Sequence, residues 1–502
     1  MAGERGKGAA VGYINIIATT IINLLYTPLL IRMLGQDDYG VFQMTNSVVQ
    51  ALLILTMGFD FAYVKFYSAR EAKHAEKEIW KLNGMYLIIF IAIAALAVLC
   101  GCVLFTNVDF LFSKGLDESE RKLAKKLIAI MVYSVAISFP GTVFDSYIMV
   151  HERFVFQQSR QLATSIAVPV LAVFSLYLGF GAVGVASAKA IMSTILLLLN
   201  MNYAVRKLRM RFSFSSFDST LFKSLASFSF WIFLNQIFDI VNSYAPNFLL
   251  GALSSARTVA VFAVALQIRS LFMPLSTVLM NVFVPKINRI VATSNDDIEL
   301  TQLMTHVGRY QMIVFCFLYC GFIVVGKYFI TIWAGSGFDD AYLMILIMTL
   351  PQIFDLTQNT GMAIQRARNK QKARSLAYVV TAFLNILISV VFIPKYGYWA
   401  TTIGYVVSVV LSTGVFMNWY FQFRLGLSMK YFWAKMVPTL VTSAAVTVIC
   451  LLLTTIIPVI SLKRFLFMGC LYVFLYSIAS WLFVLSKDER QFIQKKFVKH
   501  QR

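Results

Sequence analysis

The sequence predicts an all-α polytopic membrane protein with fourteen transmembrane helices: two parallel six-helix lobes plus a C-terminal helix pair, both termini cytoplasmic. Three observations lead there. Of 502 residues, 59% are hydrophobic and only 13% charged, against nearly half apolar and a quarter charged in soluble domains. The apolar residues come in continuous runs of helix-spanning length, about 20 residues, and they do not alternate as barrel strands would. Basic residues are distributed unevenly between alternate connections. Such a chain places its excess apolar surface against lipid.

The spans fall at 11–33, 41–64, 84–106, 126–150, 161–179, 182–204, 225–250, 257–284, 307–332, 342–364, 375–394, 398–420, 433–459 and 465–486. The first is too long in its apolar run, and lacks the small-residue site, for a cleavable signal. With the N-terminus inside, the inward connections carry about three times as many Lys and Arg as the outward ones, as the positive-inside rule requires. The net charge of +21 therefore marks the cytoplasmic face and not nucleic acid. Trp80, Trp333, Trp399, Trp419 and Trp433 fall near span ends, the place of an interfacial aromatic belt. The six cysteines lie in apolar runs and read as buried free thiols.

Features recur six spans apart. Gly40-Val41-Phe42 opens span 2 and Ala260-Val261-Phe262 opens span 8; Asn15 matches Asn235, and Leu29-Leu30 match Leu249-Leu250. Pro140 with Phe144-Asp145 resembles Pro351 with Phe354-Asp355. An even repeat length inserts both halves in the same orientation. The division that follows is an N-lobe at 1–205, a basic linker at 206–224, a C-lobe at 225–424, spans 13 and 14 at 425–486, and a basic tail at 487–502.

No connection is long enough for a soluble catalytic domain, and there is no nucleotide cradle, metal motif or Cys/His cluster. The chain reads as a transporter, not an enzyme, with no cofactor. Gly179-Phe180-Gly181-Ala182-Val183-Gly184 spells a dinucleotide fingerprint, but it sits between two spans with no βαβ unit around it. It reads as a tight hairpin.

Charge inside the bilayer costs about 2.5–3.5 kcal/mol per residue, so depth sorts the candidates. Arg32, Asp60, Asp145, Lys327 and Asp355 lie near span ends, where snorkelling satisfies them. Lys189 is deeper. Asp239 and Arg269 lie near mid-depth on adjacent antiparallel spans, where they can meet as an ion pair. Asn235, Asp239 and Asn242 form one polar stripe on span 7; Asn15, Thr19 and Asn23 form another on span 1. Such stripes point into a bundle, joining helices by hydrogen bonds, or into a wet cavity. Pro140, Pro246, Pro274 and Pro351 fall inside spans and predict kinks.

The stretch from Thr27-Pro28-Leu29-Leu30 through Gly35-Gln36-Asp37-Asp38-Tyr39-Gly40-Val41-Phe42 resembles the helix 1–2 signature of oligosaccharide-lipid flippases. These are the polysaccharide-export members of the multidrug/oligosaccharidyl-lipid/polysaccharide exporter superfamily. Gly58-Phe59, Tyr67-Ser68-Ala69, Asn83-Gly84-Met85, Ala363-Ile364-Gln365-Arg366-Ala367 and the Tyr396-Gly397 hairpin are also similar to that family.

The resemblance implies two lobes around a hydrophilic cavity and alternating-access transfer of a polyprenyl-diphosphate-linked oligosaccharide to the outer leaflet, as for O-antigen or exopolysaccharide repeat units. Arg269, Arg32 and Lys189 are the expected cations for the diphosphate, and Asn15, Asn235 and Asn242 the expected amides for the sugars. It also implies a sodium or proton site at Asp239, Asn385 and Thr402. Partners would be the lipid-linked oligosaccharide, membrane lipid, and a polysaccharide polymerase with other assembly proteins, in the inner membrane of a bacterium. A monomer suffices. The alternatives are a drug/cation antiporter of the same superfamily and a lipid-linked peptidoglycan-precursor flippase. A membrane-embedded glycosyltransferase would need a larger extramembrane segment.

Overall fold

A computed structural model describes residues 2–56, 59–214, 219–368, 370–486 and 489–491. All regular structure among them is helical. In chain order the helices are α1 (Ala2–Leu34), α2 (Gln36–Ala51), α3 (Phe59–Glu71), α4 (Glu76–Thr106), α5 (Val108–Leu111), α6 (Glu118–Val150), α7 (Phe154–Tyr177) and α8 (Gly181–Asn202). There follow α9 (Ser219–Ser243), α10 (Ala245–Leu253), α11 (Ala256–Ser270), α12 (Met273–Thr293), α13 (Asp297–Trp333), α14 (Asp339–Thr349), α15 (Gln352–Thr357) and α16 (Asn359–Ala367). The last are α17 (Lys372–Tyr396), α18 (Tyr398–Val409), α19 (Met417–Arg424), α20 (Met429–Ile456) and α21 (Leu462–Ala479).

Among the described residues, nine helices or helix runs are continuous, long and apolar enough to cross a bilayer. Most of the remaining apolar segments are interrupted. The segment 41–64 divides into α2, a 3₁₀ turn at Leu52–Thr56 and α3. Three of the four prolines expected to kink spans instead open new helices. Pro246 and Pro274 sit in the first turns of α10 and α12, and Pro351 caps α15. A proline has no N–H to give, so it is tolerated where the helix has no acceptor for one. Pro140 lies within an unbroken α6.

The fingerprint-like glycines make the hairpin between α7 and α8. Gly179 and Gly181 have φ of 82° and 55°, the left-handed region open to glycine. A Cβ at Gly184 would lie 2.6 Å from the Ser175 hydroxyl, so the third glycine permits close packing of α8 on α7. The N-terminus of α6 carries a capping box, in which Asp117 accepts from the Glu120 amide and Glu120 accepts from the Asp117 amide; this satisfies two otherwise orphaned donors.

The chain forms two compact units: Met1–Ala263 with Tyr378–Gly404, and Val264–Ala377 with Tyr405–Arg502. In the first, α6 is central, packing against α8, α4, α2 and α3. Its apolar stretch is 61% buried, against 11% for α7, so α7 presents most of its apolar surface outward. Gly40 lets α2 approach the chain at Ala256 so closely that a Cβ there would collide with the Ala256 carbonyl. In the second unit α13 is central, packing against α20, α21, α12, α14 and α15 around buried Met304, Met312, Phe432, Met436 and Met468.

Trp333 closes α13, Trp399 lies in the first turn of α18 and Trp433 near the start of α20. All six cysteines are free, but Cys102 and Cys470 are exposed and Cys100 is half-buried. The reading of all six as buried is corrected on that point: an apolar run fixes that a residue sits in a spanning helix, not which face it occupies.

Candidate substrate-binding site

Within the first unit, α1, α6, α7 and α8 line a cavity of about 550 Å³, in which Thr19, Asn23, Asp145, Gln157, Arg160 and Thr164 stand beside the apolar Val168, Pro169 and Leu196. Its central feature is an ion pair. Arg160 Nη2 lies 2.5 Å from Asp145 Oδ1, and the two side chains are 14% and 34% exposed. Arg160 also donates to the Asn200 side-chain oxygen, and Gln157 donates to Asp145 Oδ2 at 3.3 Å. Each member of the pair is thus braced by one amide: Gln157 of α7 donates to the carboxylate, and Asn200 of α8 accepts from the guanidinium. One aromatic ring stands beside them, the Phe156 ring 6.0 Å from the Arg160 guanidinium.

The polar stripe of α1 faces this cavity. Asn15 donates to Gln158 Oε1 at 3.1 Å, and Thr19 donates to Asn15 and to Ser165. Asn15 is buried in this seam, while Thr19 and Asn23 reach the cavity wall. Amides and hydroxyls in this density present both donors and acceptors, the complement a sugar's hydroxyls need, and a guanidinium fork matches phosphate oxygens.

Sequence reasoning placed Asp145 near a span end and did not single out Arg160. It began the fifth span at 161, whereas α7 begins at Phe154, so Arg160 lies inside the helix. The signal was present: Gln157, Arg160 with Gln161, and Thr164 follow i, i+3/i+4, i+7 spacing, one face of a helix.

The second unit holds a different arginine. Arg269, in the last turn of α11, is 8% exposed. Its guanidinium carbon stands 4.2 Å from the centre of the Tyr405 ring, a cation–π contact. The Tyr405 hydroxyl is within hydrogen-bonding reach of the Arg269 and Gln352 side chains, with the Asp355 carboxylate near enough to act on it electrostatically. Arg269 Nε and Nη1 are buried without a hydrogen-bond partner among the described residues.

The other expected residues sit on several helices of the first unit. Arg32 is exposed in the last turn of α1. Lys189 is half-buried on α8 and donates to Asn46 Oδ1 at 3.2 Å. Asp239 is exposed on α9 in the first unit, and Arg269 belongs to the second. Asn242 and Asn385 do meet: Asn385 donates to Asn242 Oδ1 at 2.8 Å, joining α9 to α17, and Ser389 donates to Asn385. Gly404 lies against the same amide, 2.5 Å from Asn385 Oδ1 to where a Cβ would be. Thr402 is buried and donates to the Tyr398 carbonyl of its own helix. The side chains of Asn235 and Asp60 lie outside the described residues. No cluster of three His, Cys, Asp or Glu suited to a metal occurs among the described residues.

Residues 6–291 match the family described as polysaccharide biosynthesis protein. The chain belongs to that family. An uncharacterized membrane protein of Bacillus subtilis, EpsK, is 22% identical over 497 residues, covering 96% of each chain. Among solved structures, a lipid II flippase, MurJ, in an inward closed conformation matches with a TM-score of 0.69 and 14% identity, over 95% of this chain and 98% of that one. An inward-facing multidrug resistance MATE transporter of the MOP superfamily matches with a TM-score of 0.67 and 13% identity, over 83% and 98%. At such identities the likeness shows the fold. This family member is a multi-pass membrane protein with a MurJ- and MATE-like fold.

Proposed function

We propose that the chain is a flippase that carries a polyprenyl-diphosphate-linked oligosaccharide from the cytoplasmic to the outer leaflet of a bacterial inner membrane, for surface polysaccharide assembly. The observation that carries this reading is the amide- and hydroxyl-rich cavity around Arg160, set among spanning helices of a polysaccharide biosynthesis family member. A diphosphate with attached sugars cannot cross hydrocarbon unaided, because each unsatisfied polar group there costs several kcal/mol. Walls that replace water group by group lower that cost. In this reading fourteen spans form two six-helix lobes and an appended pair, and the lobes alternate access while the polyprenyl tail stays in lipid. Arg160 and Arg269 meet the diphosphate, with Arg32 and Lys189 as further cations; Asn15, Asn235 and Asn242 act on the sugars. Asp239, Asn385 and Thr402 couple the cycle to sodium or protons. Delivery to a polymerase follows outside, and one copy of the chain is enough.

The proposal is tested by reconstitution into vesicles loaded with a fluorescent diphosphate-linked oligosaccharide, with a polyprenyl-diphosphate-linked muropeptide and an amphiphilic organic cation offered in parallel. Transfer of the oligosaccharide in preference to both supports it. Preference for the cation makes the chain an antiporter. Preference for the muropeptide makes it a peptidoglycan-precursor flippase, a reading supported by the extent of the match to the lipid II flippase fold.

A further inference from the structure

The second unit carries a pocket that the transport reading does not use. It measures 560 Å³ and is lined by Lys286 of α12, by Glu299, His306 and Arg309 of α13, and by Tyr431 and Lys435 of α20. Lys286, Arg309 and Lys435 converge there, while Glu299 is the one carboxylate among the described lining residues. Arg309 pairs with Glu489, which also accepts from Tyr310 at 2.8 Å. Its Nε is buried and has no partner among the described residues. Lys286 and Lys435 make no ion pair among the described residues; Lys435 stands 5.6 Å from the Tyr431 ring centre.

The position of the pocket along the bilayer follows from helix length. At 1.5 Å per residue, the 37 residues of α13 span about 55 Å, against roughly 30 Å of hydrocarbon. The first turns of α13, which bear Glu299 and His306, therefore stand in the headgroup layer. The count of basic connections assigns that end to the cytoplasmic side. Further along, α20 exposes Val437 and Val441, 50% and 61%, apolar surface suited to acyl chains. A basic pocket at headgroup depth, on a helix that also bears exposed apolar residues, has the chemistry of an anionic phospholipid site: a phosphate held by Lys and Arg, with acyl chains against the apolar surface of α20.

We propose that the α12–α13–α20 pocket binds the phosphate headgroup of an anionic phospholipid from the cytoplasmic leaflet. The proposal does not depend on the identity of the cargo. Its test is the unfolding temperature of the purified full-length protein in phosphatidylcholine–detergent micelles as phosphatidylglycerol is titrated in, with inorganic phosphate titrated separately.

Phosphatidylglycerol is expected to raise the unfolding temperature saturably. The midpoint should weaken by on the order of tenfold or more in Lys286→Ala/Lys435→Ala, since each cation near an anionic headgroup contributes about 1 kcal/mol. It should be unchanged in Lys430→Ala, which lies outside the pocket. If the alanine pair does not fold, Lys286→Gln/Lys435→Gln gives the same reading. Equal midpoints in the wild type and the paired variant would overturn the proposal. So would an equal saturable rise with inorganic phosphate alone, which would make the ligand a soluble anion.

Discussion

Two buried or half-buried arginines are held in opposite ways. Arg160, in the first unit, is neutralised by Asp145 and braced by the Asn200 amide in a cavity lined by amides and hydroxyls together with Val168, Pro169 and Leu196. Arg269, in the second, lies over the Tyr405 ring, with two guanidinium nitrogens unpartnered among the described residues. The first arrangement is a charge pair that cargo must compete with; the second leaves hydrogen-bonding capacity on a buried cation. A buried pair is costly to break from one side and cheap to replace entirely, whereas a cation–π contact is lost in proportion to the ring. The comparison predicts different responses to mutation.

The largest effect is expected for Arg160→Ala, which leaves the Asp145 carboxylate with Gln157 as its remaining cavity donor. Breaking a fully buried pair costs about 3–5 kcal/mol; with Asp145 one-third exposed, solvent screening brings this to roughly 2 kcal/mol. Thermal unfolding in detergent measures it. The double variant Arg160→Met/Asp145→Leu should recover most of the stability but not the transport. Recovery of both would remove Arg160 from the site.

Next is Arg269→Ala, expected to reduce polysaccharide export by more than Lys327→Ala at matched expression, because Lys327 can reach the interface and Arg269 is buried. Equal, near-normal surface polysaccharide in both variants would erase the distinction between the two arginines. Asp239→Asn should alter the dependence of transport on the sodium or proton gradient while leaving cargo binding in place; transport and ion dependence both unchanged would dismiss the coupling role. The smallest effect is Tyr405→Phe. It keeps the ring under Arg269 but removes the hydroxyl, costing about 1 kcal/mol, whereas Tyr405→Leu removes both and should cost more. Equal losses would show that the stacking contributes nothing.

The apolar runs made the membrane class and most spans readable, because lipid imposes one rule on every residue in contact with it. Breaks within spans were less legible. Pro246, Pro274 and Pro351 announced irregularity, but whether a proline bends a helix or opens a new one depends on the tertiary contacts that receive the chain. The α1 stripe of Asn15, Thr19 and Asn23 was visible from spacing alone, and it reached the cavity through Thr19 and Asn23. Its partner stripe on α7 was hidden because Gln157, Gln158, Arg160 and Gln161 look like a connection by hydropathy. By hydropathy a polar first stretch of a spanning helix reads as a loop, and only its i, i+3/i+4, i+7 spacing marks it as one helical face. Arg269 stands out in the sequence by a simple count from the nearest turn; Tyr405, 136 positions later, carries no such signal.

The central claim is that the Arg160 cavity lies on the path of the cargo. A Thr164→Cys variant, with the six native cysteines replaced, tests it by labelling in vesicles with a membrane-impermeant thiol reagent added to either side. The account predicts labelling from both sides in turn as the protein cycles, and protection when diphosphate-linked oligosaccharide is present. No labelling from either side, or labelling that the lipid-linked sugar leaves unchanged, would contradict it.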